Sequence, residues 1–359
     1  MDDEFKLVLG NKYKDVNADY QMGIFKKAAG KVYRNLKVLR YSLFTPRAYK
    51  VAGSKSKFLW NRAIATSCGA WPVYFPVRRE VTDTFWGNLF LLTPLFVRLS
   101  YGNINAKLSK NNTIYVSLNE MGTFIKKVLP KIRKPFVLVT GDSDYSTSRF
   151  KAVLKNKYLI HWFAQNNDIK SEKVSGIPLG LDLHTIIDKK FFGEGRKSAA
   201  EQESALEGIR KVRIKPELKV FTNFHLNLTS NRRRDLHGDL KDNRVMHFQK
   251  RLMPRGEMWK MQKKYAFNFS PVGNGLDCVR TWEALALWQI PIIERTGTAL
   301  DDLYRQFPIV LIDDVSEINE KSLRKWYRKY SKMFGKDLEK KLTNDYWVGL
   351  IREAQGFQK

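Results

Sequence analysis

Between Phe269 and Glu283 the chain reads FSPVGNGLDCVRTWE, which puts two glycines, two carboxylates and a guanidinium around one expected helix start. Arg280 and Glu283 stand three residues apart, so a helix would carry both on one face of its first turns. Asp277 is placed to be the N-cap. Gly273 and Gly275 flank Asn274, where positive φ would let the backbone come close to a ligand. The unpaired N–H groups of a helix start, together with the positive end of its dipole, make an anion site. A guanidinium strengthens it, and a carboxylate can accept both hydroxyl protons of a ribose. These residues suit a nucleotide diphosphate, although a strand-to-helix turn with two glycines also occurs in proteins that bind nothing.

A second set of reactive side chains lies earlier. Gly141-Asp142-Ser143-Asp144 follows the apolar run Phe136–Thr140, and Gly180-Leu181-Asp182-Leu183-His184 follows Val174–Leu179. Asp142 or Asp144 suits a general base, and either suits equally well a cap or a turn fixed through side-chain-to-backbone bonds. His184 is a candidate acid or base because an unperturbed imidazole titrates near ~6.5, with a structural hydrogen-bonding role as the alternative. Arg232, Arg233 and Arg234 follow the strand-like Lys219–Phe224. A guanidinium fork matches paired phosphate oxygens, and at least one of the three is expected in solvent.

The elements that must position these groups alternate. Tyr265–Phe269 reads as a buried strand, and Cys278–Trp288 as a helix with Val279, Trp282, Leu285 and Ala286 on its apolar face. Strands are also expected at 71–77, 112–118, 136–140, 158–163, 174–179, 219–224, 291–294 and 309–312. Helices are expected near 118–129, 255–264 and 299–307, with two closing helices rich in Lys, Trp and Tyr. That alternation argues α/β with parallel sheets, whose ligand-binding groups sit in loops beyond the carboxyl ends of the strands. Gly193, Gly195, an Ala- and Glu-rich stretch and Pro216 mark a boundary at 192–216.

At 359 residues with 43% hydrophobic content the chain can bury a sizeable core, and its length favours two domains. The net charge of +28 implies polyanionic partners without choosing among nucleotide sugars, acidic glycans, anionic membrane and nucleic acid. Only Cys68 and Cys278 are present, far apart and without metal-ligand spacing, so neither a disulfide framework nor a zinc site is suggested and a reducing compartment fits. No early apolar run marks a secretory signal, and Phe85–Leu99 falls short of the ~20 residues of a spanning helix. A cytoplasmic protein, soluble or peripheral to a membrane, is expected. From Tyr20 to Arg79 there is no Asp or Glu, and Phe25, Ala28, Val32, Leu36, Leu39 and Leu43 recur at helical spacing among Lys26, Lys27, Lys31, Arg34 and Lys37. A basic amphipathic helix over about 22–44 follows. It is read as packed with a solvated face, as docked on anionic membrane, or as bound to nucleic acid, for which no specific recognition motif is present.

SPVGNGLDCVRTWEALALWQIPIIE resembles the C-terminal signature of exostosin-type glycosyltransferases, which run close to SPxGNGLDCHRTWEALxLGxIPIV. VLVTGDSDYS, HWFAQN, IPLGLD, VFTNFHLNLTSNRRR and KLTNDYW resemble further segments of such proteins in the same order, so the resemblance spans roughly 130–350. Versions most like this one are associated with algae and with large DNA viruses that infect them. Val279 stands where His is expected, Val272 where His or Arg is common, and Trp288-Gln289 where Leu-Gly is frequent. Animal and plant relatives are usually anchored in the Golgi membrane, an anchor not found here.

The resemblance implies two facing Rossmann-like domains of the GT-B type, here with a basic helical N-terminal extension. The expected division is extension 1–65, acceptor domain 66–192, linker 193–217 and nucleotide-sugar domain 218–359 with its closing helices. The implied reaction moves a sugar from a UDP-sugar to a hydroxyl of a glycan or glycoprotein, with inversion and with no cofactor or metal. Arginines and a helix N-terminus would neutralise the departing diphosphate, and Asp142-Ser143-Asp144, though spelled DxD, falls in the acceptor half. The implied donor site takes the diphosphate on Arg232 or Arg233 and the backbone of Gly273 to Gly275, the ribose on Glu283, and the sugar near Asn274 and Asp277. Asn223, Ser270, Arg280 and Thr281 complete it. Asp142, Asp144 and His184 are the catalytic candidates on the acceptor side. The rival reading is a catalytically idle protein of the same fold, docked on membrane or nucleic acid through its basic N-terminal region.

Overall fold

A computed structural model describes residues 56–72, 100–188, 194–195, 197–224, 232–249 and 253–356. All of these belong to one compact unit, Ala48–Pro72 with Val97–Lys359. The expected basic helix over 22–44 and the greater part of the expected strand 71–77 lie outside the described residues.

The first half contains α1 (Asn61–Ser67), α2 (Ile104–Lys110), β1 (Thr113–Ser117), α3 (Met121–Lys127), β2 (Phe136–Gly141), β3 (Leu159–Ala164), β4 (Val174–Gly176) and α4 (His184–Asp188). Its strands pair in the order β1-β2-β3-β4, every neighbour parallel. Parallel sheets need cover on both faces, and β1 and β2 are buried at every residue. Ile114, Val116, Leu138 and Trp162 pack with Phe124, Val128 and Ile132 on one side.

α5 (Ala199–Lys211) leads into the second half. This helix is the Ala- and Glu-rich helical stretch expected within the linker. Ser198 caps it by accepting from the Glu201 N–H at 3.2 Å, while the Glu201 carboxylate accepts from the Ser198 N–H at 2.6 Å, a capping box. Then come β5 (Glu217–Thr222), α6 (Arg232–Leu240), β6 (Met246–Phe248), α7 (Arg255–Gln262), β7 (Tyr265–Phe269), α8 (Val279–Ala286), β8 (Ile290–Glu294), α9 (Ala299–Tyr304), β9 (Val310–Ile312), α10 (Glu320–Tyr330), α11 (Lys336–Lys341) and α12 (Asn344–Gln355). The sheet order is β6-β5-β7-β8-β9, again all parallel. Val220, Phe267, Phe269, Ile290 and Ile292 form its core with Leu236 and Leu323.

Two segments lie across the expected divisions. α12, read with the second half, packs on β2 and β3 of the first, and Gln355 donates to the side-chain oxygens of Asn111 and Asn112. Residues 56–65, read as the end of an extension, are core: Leu59 and Trp60 are buried. Asn344 donates to the carbonyls of Ser56 and Phe58 and accepts from the Trp60 N–H, and Glu203 accepts from the N–H groups of Lys57 and Phe58. Every backbone group of this strand-like segment needs a partner, and α5 and α12 supply them from either side.

Candidate functional site

The loops that leave the carboxyl ends of β2, β3 and β4 meet the loop that leaves β7. A Cβ on Gly275 would stand 3.2 Å from the Asn166 amide and 3.2 Å from Asp144 Cα, so any side chain here would require those neighbours to give by a few tenths of an ångström. Neither Gly273 nor Gly275 takes positive φ, contrary to expectation. Gly275 packs closely against the other half. The left-handed residues are instead Asp142 (φ 55°) and Asn166 (φ 51°) on the opposing loops. Asp142 is held as a turn residue: its N–H donates to Gln165 Oε1 at 3.0 Å and its carbonyl accepts from Ser117 and Asn119. Its carboxylate faces Asn61, whose Nδ2 donates at 3.3 Å.

Asp277 corrects the sequence reading most. It is buried and is not the N-cap; that residue is Cys278, which makes no side-chain cap. The Asp277 carboxylate accepts from the N–H of Leu179 across the junction (2.8 Å), from the Cys278 N–H (2.7 Å), from Trp282 Nε1 (2.9 Å) and from the Tyr304 hydroxyl (2.8 Å). Its own N–H donates to Asn166 Oδ1 at 2.8 Å. Burial pushes this carboxyl up to about 6, while the four donors pull the other way. A carboxylate so enclosed has no lone pair left for a sugar, and its work is to clasp the halves together.

Ser270 and Thr281, expected in the donor set, are also turned inward. Both are buried, and the Thr281 hydroxyl donates to Ser270 Oγ at 3.0 Å, tying β7 to α8. Of the arginines, Arg232 is half exposed and pairs with Glu294 at the carboxyl end of β8. Arg233 is buried and donates to the carbonyls of Val272 (3.0 Å) and Pro271 (3.1 Å). Burial, with the charge of Arg280 adding to it, lowers its pKa to about 10. Arg280 makes only a long contact to the Pro271 carbonyl at 3.5 Å, and its Nε is buried with no partner. It forms no ion pair among the described residues. Two guanidiniums thus converge beside the N-terminus of α8, which no side chain caps. Asn274 is exposed at the tip of the turn, and Asn223 Oδ1, just past β5, is buried with no partner among the described residues.

From this turn a line of alternating charge runs into the first half. Glu283 lies in the fields of Arg255 and Arg280, and burial raises its carboxyl against both. Arg255 Nη2 donates to Asp182 Oδ2 at 3.1 Å, and Asp182 Oδ1 is 2.9 Å from His184 Nδ1. Burial alone would raise Asp182, but His184, Arg255 and the Thr185 hydroxyl hold it well below the usual carboxylate range. Burial alone would lower His184, yet Asp182 and, more weakly, Asp142 leave it raised. With Nδ1 engaged by Asp182, the neutral imidazole keeps its lone pair on Nε2, as a general base requires. Asp144 is exposed on the turn facing Gly275.

Of the residues expected at a site, Asp142, Asp144 and His184 therefore gather on one side, and Arg233, Gly273, Arg280 and Glu283 on the other. Asp182, Asn166 and Arg255 connect the two sides and were not read as site residues. Asp182 could have been found, since it lies two residues before His184; Arg255 belongs to a helix with no signal of its own.

Two all-parallel α/β halves thus meet through the loops at the carboxyl ends of their strands. No family model matches the chain, and no curated protein matches it. Solved structures do match, among them the crystal structure of UDP-N-acetylglucosamine 2-epimerase, with 10% identity, 86% of this chain and 91% of that chain covered, and a TM-score of 0.30. Among the described residues no three His, Cys, Asp or Glu side chains gather as metal ligands, and no helix is long and apolar enough to cross a membrane.

Proposed function

We propose that the chain is an inverting glycosyltransferase that moves a sugar from a UDP-sugar to a hydroxyl of a glycan or glycoprotein. The observation that carries the reading is Arg280, a guanidinium with no ion pair among the described residues, its Nε buried without a partner among them, set against Arg233 at an uncapped helix start. Such a place is stabilised by an anion with several oxygens, and a diphosphate supplies them. Glu283, three residues along the same helix, accepts the ribose hydroxyls. His184, aligned by Asp182, removes the acceptor proton as the diphosphate departs in a single displacement, and the arginines take up the leaving charge without a metal. The resemblance of the 270–294 segment to the exostosin signature supports the same assignment.

Titration of UDP into the wild-type chain and the Arg280→Met variant tests this. Charge-assisted hydrogen bonds contribute about 1.5–3 kcal/mol, so the variant should bind UDP roughly 10- to 100-fold more weakly. Transfer to an acceptor should persist in EDTA. Equal affinity in the two proteins would remove the diphosphate from Arg280, and nucleotide binding without transfer to any hydroxyl acceptor would favour an idle binding protein of this fold.

A further inference from the structure

The opposite end of the second sheet presents a different surface. Five large apolar side chains are exposed there: Val212 (55%), Ile214 (40%), Leu218 (41%), Trp288 (40%) and Met333 (41%). Val212 and Ile214 lie between α5 and β5, Leu218 is the second residue of β5, and Trp288 lies two residues before β8, so a parallel sheet brings them to its amino-terminal edge. Met333 joins them through its neighbour Phe334, whose ring stacks on Trp288 at 6.2 Å. The Arg210 guanidinium lies over the same indole at 5.7 Å.

Trp288 is conformationally costly where it stands. The Gln289 N–H bonds to the Ala284 carbonyl at 2.8 Å and the Trp288 N–H to the Leu285 carbonyl at 3.0 Å, which is a Schellman close to α8. Trp288 occupies its left-handed position, φ 60°, where glycine is usual. A bulky side chain that is strained and also left in water points to a role outside the fold. The surrounding charge is mostly positive: Lys211, Arg213, Lys215, Lys219, Lys264 and Lys332 are exposed. Two acids oppose them, Glu217, which pairs with Lys219 at 3.5 Å, and Asp337; Glu339 is engaged by Arg210.

We propose that this amino-terminal edge docks on an anionic lipid bilayer. The Lys and Arg side chains would meet headgroup phosphates and carboxylates, while Trp288 and the aliphatic side chains enter the boundary between headgroups and acyl chains. The aliphatic residues decide for lipid over nucleic acid. Val212, Ile214, Leu218 and Met333 gain from hydrocarbon but offer no ring for a base to stack on. Docked this way, the junction at the carboxyl ends faces the aqueous side.

The full chain is tested by co-sedimentation with phosphatidylcholine vesicles, with and without phosphatidylserine, at low and high salt. Wild type should sediment with the anionic vesicles only and be released by salt. Trp288→Gly should lower the bound fraction about fivefold or more while its melting temperature holds or rises, since strain is relieved and the partition of an interfacial aromatic is lost. Adding Ile214→Asp should abolish binding. The proposal is overturned if wild type ignores anionic vesicles at low salt, or if the double variant binds like wild type. It is also overturned if Lys27, Lys31, Arg34 and Lys37→Glu abolishes binding with the patch intact. Capture by lipid-free polyphosphate that survives Trp288→Gly but not Lys211, Arg213 and Lys215→Glu, with no vesicle binding, would make the surface a polyanion site instead. UDP affinity is unaffected in every one of these variants, so this result stands apart from that of the donor site.

Discussion

Two carboxylates lie where the halves meet, and they are satisfied by opposite means. Asp277 accepts from two backbone N–H groups, an indole and a phenol, all neutral. Asp182 is held by an imidazole and a guanidinium. Neutral donors hold a carboxylate in place but do not offset the loss of water around its charge, so burial dominates and Asp277 is raised. Charged partners do offset it, and Asp182 is lowered. Proximity to the junction therefore does not fix a carboxylate's protonation, but the charge of its partners does. Both reach across the halves, Asp277 to Leu179 and Asp182 to Arg255, and Asp182 in addition engages Nδ1 of a histidine.

Removing the clasp should have the largest effect. Asp277→Ala leaves the Leu179 and Cys278 N–H groups, the Trp282 indole and the Tyr304 hydroxyl without an acceptor. An unsatisfied buried donor costs about 1–3 kcal/mol, so a loss of roughly 4 kcal/mol or more is expected in urea unfolding, with Asp277→Asn recovering much of it. The contrast also has a pH signature. A folded-state pKa of about 6 lies above the ordinary 3.8, so the stabilisation is complete below the ordinary value and is lost as pH rises through the raised one. Wild type should lose up to roughly 3 kcal/mol relative to Asp277→Asn between pH 4 and 6. Parallel curves would mean that the two carboxylates differ less than their partners suggest.

Asp182→Asn attacks the other member and should cost less stability, about 2 kcal/mol, because Arg255 keeps partial access to water. Its sharper readout is kinetic. Asp182 is the main group holding His184 above its ordinary value, so the acidic limb of the wild-type transfer profile should fall above 6.5, and the variant's should move to lower pH. The linkage sign agrees: the stabilisation of a raised histidine is present below 6.5 and fades as pH rises through the folded value. A limb that stays in place would assign the base to Asp142 or Asp144.

Most of the scaffold was legible because parallel strands buried on both faces read as continuous apolar runs. β7 falls at Tyr265–Phe269 as expected, and β2 extends its expected run only to Gly141. β6 was not read, since three half-buried residues at a sheet edge carry too little pattern. The site was legible in part. A local rule placed Arg280 and Glu283 on one helical face, and that rule depends only on spacing. Asp277 failed because the same position, one turn ahead of a helix, suits either a cap or a tertiary hydrogen bond. Leu179, ninety-eight residues away in sequence, supplies the donor that decides it. Gly275 failed for a similar reason: its missing Cβ makes room for Asn166 and Asp144, which no local pattern reveals.

The smallest effect should come from the arginine pair, where the same contrast recurs within two adjacent residues. Arg232 is half exposed and meets a carboxylate, Glu294, near the surface. Arg233 is buried under the carbonyls of Pro271 and Val272, and its Nη2 lies 3.3 Å from where a Gly273 Cβ would be. An exposed ion pair is worth roughly 0–1 kcal/mol, screened further by salt, so Arg232→Ala should shift stability within that range and leave UDP affinity within about twofold of wild type. Arg233→Ala in parallel should weaken UDP binding well beyond twofold, because the carbonyls it holds belong to the turn beside Arg280. Should Arg232→Ala instead lower UDP affinity tenfold with Arg233→Ala silent, the diphosphate would sit over the end of β8, and the buried guanidinium would be scaffold like Asp277.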